Sequence, residues 1–576
     1  MFKLLKKIKF NKLILVSLIA IIILKTVGTL YIPTLTADII NNGVIKGDVK
    51  YVLRTGSIMA GLAIFTGVLA ILSTYFSANV SATLSRELRG KIFSHVQKLS
   101  IQDFKDFSTG SLITRCTSDV NQIENTAIMF LEMIIPVPFI ILAGMFMAFS
   151  KDGFMSLIIL ITGLFFLVFI FLISKRVIRI STKVQDELDK INSNVRQYIS
   201  GVRVIRGFNC EKREKKFMDS AFISYSDINI KMNKIFAVVL PVLMFTMNFS
   251  SVAILWFGSI RINSGHMLVG DIMAISEYSI LILVYLVMAV LVLINIPRAS
   301  ACSMRILEVL ESQPEIIDEK ITEMIPSGKK TLEFRNVSFS YRDSEKPVLN
   351  NLNFICESGK TTAIIGSTGS GKSTIGKLIP RLHDIQWGEI LINGINIKKF
   401  SQEDLREIIS FSPQKAFFFS GTIADNIRHG KTEATIEEIR SAAKRAQADK
   451  FIMELEKNYD SFVAQGGNNF SGGQRQRLCL ARALVKKSDI YIFDDNFSAL
   501  DYKTEVKLRE AIKLVVKDSI VITIAQRIST IKEAEQIIVL EEGEIVEIGT
   551  HKELLKKCQV YKQIAASQLT EEKLAV

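Results

Sequence analysis

Six long apolar segments dominate the first half of the chain. Each is about long enough to cross a hydrocarbon layer of ~30 Å as a helix, which takes ~20 residues. They extend over Leu13–Pro33, Gly56–Val80, Thr126–Phe149, Phe154–Ile173, Ile235–Ile260 and Ile272–Ile296. The polar residues 81–125 and 174–234 keep a helical apolar rhythm. We therefore predict six membrane helices, several of which continue well beyond the apolar layer.

The pattern changes after the sixth segment. A helix-like stretch over residues 303–311 and a polar linker lead into short apolar strands that alternate with helices. This succession is typical of an α/β domain. We predict a helical transmembrane domain over residues 1–310, a linker over 311–331 and an α/β domain over 332–576.

Composition and charge agree with a membrane protein. Of the 576 residues, 49% are apolar, and the mean hydropathy is +0.30. Much of the formal charge of +14 flanks the apolar runs, so we attribute it to membrane topology and expect no nucleic-acid partner. This topology places the N-terminus and the α/β domain in the cytoplasm. The N-terminus resembles a signal peptide without a clear cleavage site and is expected to be an uncleaved first helix, and the six scattered cysteines favour neither disulfides nor a zinc site.

Three charged residues fall inside the apolar segments, where an ionised group is costly. They are Lys25, Glu132 and Glu277. Lys25 and Glu277 both fall toward the outer half of their helices, so they could form a pair or a polar spot facing a cavity. The alternative is that Lys25 extends toward the headgroups and Glu277 lies near the interface.

A phosphate-binding pattern lies near the start of the α/β domain. The pattern G-x-x-x-x-G-K-S/T follows a strand-type run at 362–365 and precedes a helix-like run at 375–382. It comprises Gly366, Ser367, Thr368, Gly369, Ser370, Gly371, Lys372, Ser373 and Thr374. Backbone N–H groups and the lysine would surround phosphate oxygens, and the Ser373 hydroxyl would ligate Mg²⁺. The alternative is a glycine-rich loop that merely turns a corner; the lysine, the hydroxyl and the strand-to-helix context favour binding of ATP and Mg²⁺.

Further motifs follow this P-loop in order. They are Phe470-Ser-Gly-Gly-Gln474, the apolar strand Ile490-Tyr-Ile-Phe-Asp494, and Ser498-Ala-Leu-Asp501. With them the second domain resembles an ATP-binding cassette (ABC) ATPase, and behind six membrane helices the chain is similar to a half-transporter of the ABC exporter family. The resemblance implies an α-helical six-helix transmembrane domain followed by an α/β P-loop ABC nucleotide-binding domain. It also implies ATP hydrolysis coupled to transport, and a dimer.

The resemblance implies roles for individual residues. Tyr341 would stack on adenine, Gln414 would reach Mg²⁺ and the γ-phosphate, and Asp494 would hold the metal through its water shell. The segments Ile101–Leu112 and Ile199–Phe208 resemble the two coupling helices that dock on nucleotide-binding domains. The signature motif would act in trans, on ATP bound by the other subunit, and consists of Ser471, Gly472, Gly473 and Gln474.

The chain departs from the family pattern at three positions. Asp495 replaces the glutamate that activates water, Gln526 replaces the switch histidine, and Gln465 replaces a glutamate ahead of the signature. An aspartate carboxylate is withdrawn by about 1.5 Å, one C–C bond, and glutamine cannot become cationic or pass a proton. We expect a site that binds ATP and hydrolyses it poorly.

These features predict the degenerate-site half of a heterodimeric, multidrug-type exporter in the cell membrane. The partner would be a second, non-identical ABC half-transporter that supplies the catalytic glutamate. The cargo would be a hydrophobic or amphipathic small molecule, drug-like or lipid, moved across the lipid bilayer. The alternatives are a regulatory subunit that binds ATP and gates a partner without pumping, and a homodimeric exporter of lipid or peptide.

Overall fold

The chain forms two compact units. A computed structural model describes residues 3–4, 7–8, 12–318, 323–324, 328–342, 344–498, 500–515 and 517–568. Residues 1–98 and 107–312 belong to the first unit, and residues 99–106 and 313–576 to the second. Part of the predicted linker, residues 319–322 and 325–327, lies outside the described residues, as does Ala499 in the motif at 498–501.

Long helices account for almost all of residues 12–311. The helices are α1 (Lys12–Asp38), α2 (Val49–Val96), α3 (Ile101–Phe107), α4 (Thr109–Thr114), α5 (Val120–Met129), α6 (Pro136–Lys151), α7 (Gly153–Gly207), α8 (Glu211–Asn263) and α9 (Val269–Glu311). Short π-helical turns lie at Ile39–Val44, Arg115–Asp119 and Phe130–Ile134. Aspartates begin two of the long helices: Asp48 accepts a hydrogen bond from the Tyr51 N–H, and Asp152 accepts from the N–H groups of Phe154 and Met155.

The six predicted membrane helices are confirmed, and they are longer than their apolar segments. In the described part of the chain, six helical segments are long and apolar enough to cross a membrane. They are Leu13–Val44, Val49–Val96, Thr109–Lys151, Gly153–Gly207, Glu211–Asn263 and Val269–Glu311. Helix α7 has 55 residues, which at 1.5 Å per residue is about 80 Å and far exceeds the hydrocarbon layer.

The two segments that resemble coupling helices differ from one another. Ile101–Leu112 is divided at Ser108, whose φ of 58° ends one helix and whose side chain caps the next, into α3 and α4. Ile199–Phe208 does not form a helix of its own: its residues up to Gly207 are the end of α7, and the chain turns at residues 208–210. No proline interrupts residues 174–206, so α7 continues to that turn.

The charged residues of the membrane helices remain separate. Lys25 is half-buried on α1 and Glu277 is exposed on α9, and among the described residues no ion pair joins them. The pair considered from the sequence is therefore not formed. Glu132 lies in the π-helical turn Phe130–Ile134, and its Oε1 atom is buried without a hydrogen-bond partner in the described part of the chain.

The second unit is built on two main sheets. Its strands are β1 (Thr331–Phe339), β2 (Leu349–Glu357), β3 (Thr361–Gly366), β4 (Trp387–Ile392), β5 (Ile395–Asn396), β6 (Ile409–Ser412), β7 (Gly421–Thr422), β8 (Phe462–Val463), β9 (Ile490–Asp494), β10 (Ile520–Ile524), β11 (Gln536–Glu541) and β12 (Glu544–Gly549). One sheet has the order β12-β11-β3-β10-β9-β6 and is parallel except for β12, while the other is antiparallel with the order β2-β1-β4-β5. Strands β7 and β8 form a separate antiparallel pair.

Helices surround these sheets. They are α10 (Lys372–Leu378), α11 (Gln402–Glu407), α12 (Ile423–Arg428), α13 (Ile436–Arg445), α14 (Asp449–Met453), α15 (Gly472–Leu484), α16 (Tyr502–Val515), α17 (Ile528–Ile531), α18 (His551–Lys557) and α19 (Gln559–Gln568). Every residue of β9 and β10 is buried, which explains why these parallel strands are continuous apolar runs. Because β3, β10, β9 and β6 are neighbours in this order, the loops that follow them all meet at one edge of the sheet.

Candidate nucleotide site

The P-loop joins the end of β3 to the start of α10. A Cβ atom on Gly366 would lie 2.0 Å from the Leu540 carbonyl oxygen, so the close approach of β3 to β11 excludes a side chain there. Gly369 and Gly371 have φ values of +87° and +95°, which glycine adopts without strain. The loop predicted from the sequence thus has the backbone conformation that its glycines require.

Lys372 extends over the inside of this loop. Its Nζ atom donates hydrogen bonds to the carbonyl oxygens of Gly366 at 2.9 Å and Ser367 at 2.6 Å, and lies 3.4 Å from the Ser370 hydroxyl. Ser367 and Thr368 are exposed at the tip of the loop, whereas Ser370 is buried beneath it. The loop therefore presents a cation and an accessible backbone arc at one place, which is the arrangement that phosphate groups require.

Two carboxylates lie near this lysine. Burial lowers the pKa of Lys372, while the negative charges of Asp495 and Asp494 act in the opposite direction. Burial also raises the pKa of both aspartates. Lys372 therefore stabilises both carboxylates in their charged forms, while the negative charge of Asp495 disfavours ionisation of Asp494.

Ser373 and Asp494 supply neighbouring oxygen ligands. The Ser373 hydroxyl donates to Asp494 Oδ1 at 2.9 Å, and this hydrogen bond partly offsets the rise in the Asp494 pKa that burial causes. Asp494 ends β9 and is only 2% exposed. A hydroxyl and a carboxylate beside a phosphate loop are the hard oxygen donors that Mg²⁺ prefers. These residues therefore fit the predicted metal ion.

The side chain of Asp495 is held between two glutamines. Gln414 Nε2 donates to Asp495 Oδ2 at 3.1 Å, and Gln526 Nε2 donates to the same oxygen at 3.0 Å. Gln414 follows β6 and Gln526 follows β10, the two strands on either side of β9. The strand order thus brings together three site residues, of which the first and the last are more than 110 positions apart in the sequence. We call this arrangement the glutamine clamp.

The backbone of Asp495 is also fixed. Its φ is +52°, in the left-handed region that aspartate tolerates better than most residues. Its N–H donates to the Ile524 carbonyl at 2.9 Å, and its own carbonyl accepts a hydrogen bond from Ser498 Oγ at 3.1 Å. The Gln476 amide lies 3.5 Å from the same carbonyl. The position of the carboxylate is therefore determined by contacts on both the main chain and the side chain.

Tyr341 reaches the P-loop helix from the antiparallel sheet. Its hydroxyl lies 3.2 Å from Thr374 Oγ1, and its ring meets the rings of Phe339 and His383 edge to face, with centroids 4.9 and 5.3 Å apart. The Nζ atom of Lys105 lies 5.7 Å above the centre of the Tyr341 ring. The structure thus brings the predicted adenine-stacking residue to the site, together with a lysine that the sequence did not indicate.

The signature residues form the start of α15. The Ser471 hydroxyl accepts a hydrogen bond from the Gln474 N–H at 3.3 Å, and the Gln474 side chain accepts one from the Ser471 N–H at 2.9 Å, a reciprocal capping box. Ser471 and Gly472 are exposed, and Gly473 and Gln474 are partly exposed. In the part of the chain that the structure describes, no hydrogen bond links these four residues to the P-loop.

Asn496 is a site residue that the sequence did not indicate. It is fully buried directly after Asp495, and its Nδ2 atom donates to the Pro413 carbonyl at 3.1 Å. This bond joins the segment after β9 to the residue that precedes Gln414. Its signal in the sequence was an amide residue directly after the predicted catalytic position. Gln465, the third departure from the family pattern, is exposed in the short turn Gln465–Gly467.

Comparisons with known proteins cover nearly the whole chain. A family model for the ABC transporter transmembrane region matches residues 14–287, and one for the ABC transporter matches residues 349–498. An uncharacterized ABC transporter ATP-binding protein of Mycobacterium tuberculosis is 37% identical over 95% of this chain and 94% of its own length. The ATP-dependent lipid A-core flippase of Haemophilus influenzae is 31% identical over 93% of this chain and 91% of its own. A solved structure of a bacterial Atm1-family ABC exporter with ATP bound superposes with a TM-score of 0.84, at 26% identity, over 97% of this chain and 99% of that one.

Proposed function

The chain belongs to the ABC transporter family, as an exporter-type half-transporter in which a membrane domain is fused to one ATP-binding domain, and on this premise we propose that it is the weakly hydrolysing subunit of a heterodimeric exporter. The family accounts for transport coupled to ATP. The division of labour between two subunits is the proposal, and it rests on the glutamine clamp.

The clamp supports weak hydrolysis because it occupies the oxygen that would act as a base. A general base must accept a proton from the attacking water, within hydrogen-bond reach of it. Asp495 Oδ2 already accepts hydrogen bonds from Gln414 and Gln526, at 3.1 and 3.0 Å. Two amide donors stabilise the carboxylate as it stands, and its side chain is about 1.5 Å shorter than that of glutamate. We infer that this carboxylate activates water poorly.

Gln526 supports the same conclusion. A histidine at this position could carry a positive charge or pass a proton, whereas an amide does neither. The amide of Gln526 is directed at Asp495 at 3.0 Å. Two of the residues that depart from the family pattern, Asp495 and Gln526, are thus hydrogen-bonded to each other.

The remaining groups support retention of ATP. Lys372 lies over the P-loop, and Ser373 and Asp494 offer oxygen ligands to Mg²⁺ 2.9 Å apart. Bound Mg²⁺ would supply charge neutralisation at the β- and γ-phosphates. The weak site would consist of these residues, with Asp495 and Gln526, and the signature of the partner subunit.

The second site of the dimer, which we call the competent site because it would hydrolyse ATP, would use the exposed signature of this chain. Ser471 caps the start of α15, and the two glycines that follow it, Gly472 and Gly473, are exposed and partly exposed, as a second phosphate site requires. The partner subunit would supply the P-loop, glutamate and histidine there. In this scheme the weak site holds ATP through several cycles, and hydrolysis at the competent site switches the membrane domains between inward- and outward-facing states.

The proposed cargo is a hydrophobic or amphipathic small molecule of the drug-like class, exported across the cell membrane. A lipid is the second candidate, favoured by the similarity to the H. influenzae lipid A-core flippase over 93% of this chain. Transport of a fluorescent amphipathic dye and of a fluorescent phospholipid by the same proteoliposomes would separate the two.

The proposal is tested by isolating the chain from its native membrane and in pure form. A tagged copy should retain a second ABC half-transporter through purification, and the pair should hydrolyse ATP near the ~10 s⁻¹ that is typical of enzymes. The pure chain alone should bind ATP and hydrolyse it about 10²-fold more slowly. Lys372→Ala, which removes the phosphate-binding cation, should abolish ATP binding in this chain and serves as the control. Rapid hydrolysis by the chain alone would refute the proposal.

A pump and a regulatory subunit differ in one measurement. In a pump, cargo raises the ATPase rate of the reconstituted pair, and substitution of the catalytic glutamate in the partner subunit abolishes both hydrolysis and transport. In a regulatory subunit, ATP binding to this chain would change the activity of its partner without cargo stimulation.

A further inference from the structure

Four cations follow directly after the apolar part of α7. They are Lys175, Arg176, Arg179 and Lys183, and all four are exposed. At 100° per residue, their positions fall within an arc of about 100° around the helix. They span eight residue steps, or about 12 Å along the axis. We call this surface the α7 cationic stripe.

The nearest carboxylates along α7, Asp186 and Glu187, follow the stripe by three and four residues. No ion pair involving its four residues is formed among residues that the structure describes. The following carboxylate of Glu187 is already held by Lys190, at 2.7 Å. Helix α8 runs back from the turn at residues 208–210. Counting the same number of residues on either side of that turn places residues 235–243 of α8 beside the stripe. These nine residues carry no charge.

The same face of α7 is apolar on the membrane side of the stripe. Five side chains there are exposed by half or more of their surface: Leu164, Phe165, Val168, Phe171 and Leu172. Counted at 100° per residue, their arc overlaps that of the four cations. Lys175 Nζ lies 4.6 Å above the Phe171 ring, so the cationic and apolar parts touch. The face is thus continuous, apolar at one end and cationic at the other.

We propose that this face of α7 binds an anionic phospholipid of the inner leaflet. Its phosphate lies against the stripe, where the two arginines offer paired N–H donors and the two lysines offer point charges. Its acyl chains lie along the exposed apolar side chains from Leu164 to Leu172. Clusters of four or more cations immediately cytoplasmic of a membrane helix attract anionic headgroups in this way. The 12 Å length suits one or two phosphate groups.

An apolar neighbour distinguishes a lipid from a soluble anion. A phosphate site for a free metabolite has no need of five exposed apolar side chains in continuity with it. The surface also differs from the nucleotide site in every residue, so lipid binding does not depend on the proposed division of ATP hydrolysis between subunits.

The experiment measures lipid binding to the full chain without nucleotide. Native mass spectrometry in detergent counts bound phosphatidylglycerol and bound phosphatidylcholine of identical acyl chains. The unmodified chain should bind phosphatidylglycerol more tightly. Each neutralised cation should weaken that preference about fivefold, so the variant K175Q/R176Q/R179Q/K183Q should lose at least about tenfold of it.

A matched control removes the same charge elsewhere. The variant K212Q/R213Q/K215Q/K216Q neutralises four exposed cations at the start of α8 and should keep the preference. The charge-preserving variant K175R/R176K/R179K/K183R should also keep the preference for phosphatidylglycerol. If the neutral variant does not fold, the charge-preserving variant supplies the test. A preference unchanged in the stripe variant, lost equally in the α8 control, or lost in the charge-preserving variant would overturn the proposal. Displacement of phosphatidylglycerol by excess inorganic phosphate would overturn the lipid assignment in favour of a soluble anion.

Discussion

Restoring the two replaced side chains at the nucleotide site tests the glutamine clamp directly. In Asp495→Glu the carboxylate moves outward by about 1.5 Å, away from the point where Gln414 and Gln526 hold it at 3.1 and 3.0 Å. A displacement of this size changes a rate about 10²-fold when it brings a reacting group into position. The gain corresponds to about 2.7 kcal/mol of activation free energy.

Neither single substitution should deliver the full gain. In Asp495→Glu, Gln526 still offers an amide donor that occupies the carboxylate, so we expect about tenfold or less. In Gln526→His, the carboxylate remains too short to reach the water, so the rate should stay near that of the unmodified chain. The double variant, with the longer carboxylate and a group that can pass a proton, should gain about 10²-fold or more.

The assay is ATP hydrolysis by the purified chain alone in lipid vesicles at saturating ATP. Any composite site formed there contains this P-loop and this signature, so a partner subunit cannot mask the change. Binding of a fluorescent ATP analogue should be equal within about twofold in all variants, because the P-loop is untouched. Gln465→Glu restores the third replaced position, which lies outside the clamp in an exposed turn, and should leave the rate unchanged.

Three results would refute the reasoning. Hydrolysis of ATP by the unmodified chain at ~10 s⁻¹ would leave no deficit to restore. Asp495→Glu alone could recover the whole gain, which would mean that the length of the side chain matters and the clamp does not. A double variant no faster than the unmodified chain would place the limiting step outside this hydrogen-bonded group.

Three further predictions concern other parts of the site. Gly366→Ala should abolish binding of the fluorescent ATP analogue and lower the thermal midpoint, because the new Cβ would lie 2.0 Å from the Leu540 carbonyl oxygen; undiminished binding would contradict the close approach of β3 and β11. Ser471→Ala should cost about 1 kcal/mol of stability through loss of the helix cap, measured by denaturant unfolding, and should reduce ATPase activity of the pair while ATP binding by this chain alone persists. Because burial raises the pKa of Asp494, Mg²⁺ affinity should fall on acidification from above the ordinary aspartate value of about 3.9. Ionised Asp494 correspondingly opposes folding above its raised pKa, and protonation relieves this cost as the pH falls. Mg²⁺ titration of Asp494→Asn should show weak binding without that pH dependence, and an identical pH profile in both proteins would contradict the assignment to Asp494.

Local sequence patterns were sufficient for the elements that carry their own signals. The P-loop has a strand before it, glycines with positive φ inside it and a helix after it, and each is visible as a residue type. The six membrane helices follow from apolar length alone. Their ends could not be predicted in this way, because an apolar run marks the hydrocarbon layer and the helix continues where polar residues meet water or neighbouring helices. Helix α7 therefore extends from an apolar run ending near Ile173 to Gly207.

Features that depend on packing or on strand order were out of reach. The π-helical turns at Ile39–Val44 and Phe130–Ile134 add a residue to a helical turn, and no residue type specifies them. The contact of Tyr341 with Thr374 joins the antiparallel sheet to helix α10, which follows a strand of the other sheet. The glutamine clamp requires that β9 pair with β6 on one side and with β10 on the other, and no residue type in the three strands specifies this pairing.

That strand order makes the two catalytic replacements interdependent. Asp495 follows the central strand, and each neighbouring strand delivers one glutamine amide to the same oxygen. A buried carboxylate left without a partner would cost about 1–3 kcal/mol, and the two amides prevent this cost at Asp495, which is buried. In the proposed scheme, each replacement removes a catalytic group and at the same time supplies one partner of the hydrogen bond between Asp495 and Gln526. This hydrogen-bonded group is formed without any hydrolytic step, which is the property that the proposed ATP-holding site requires.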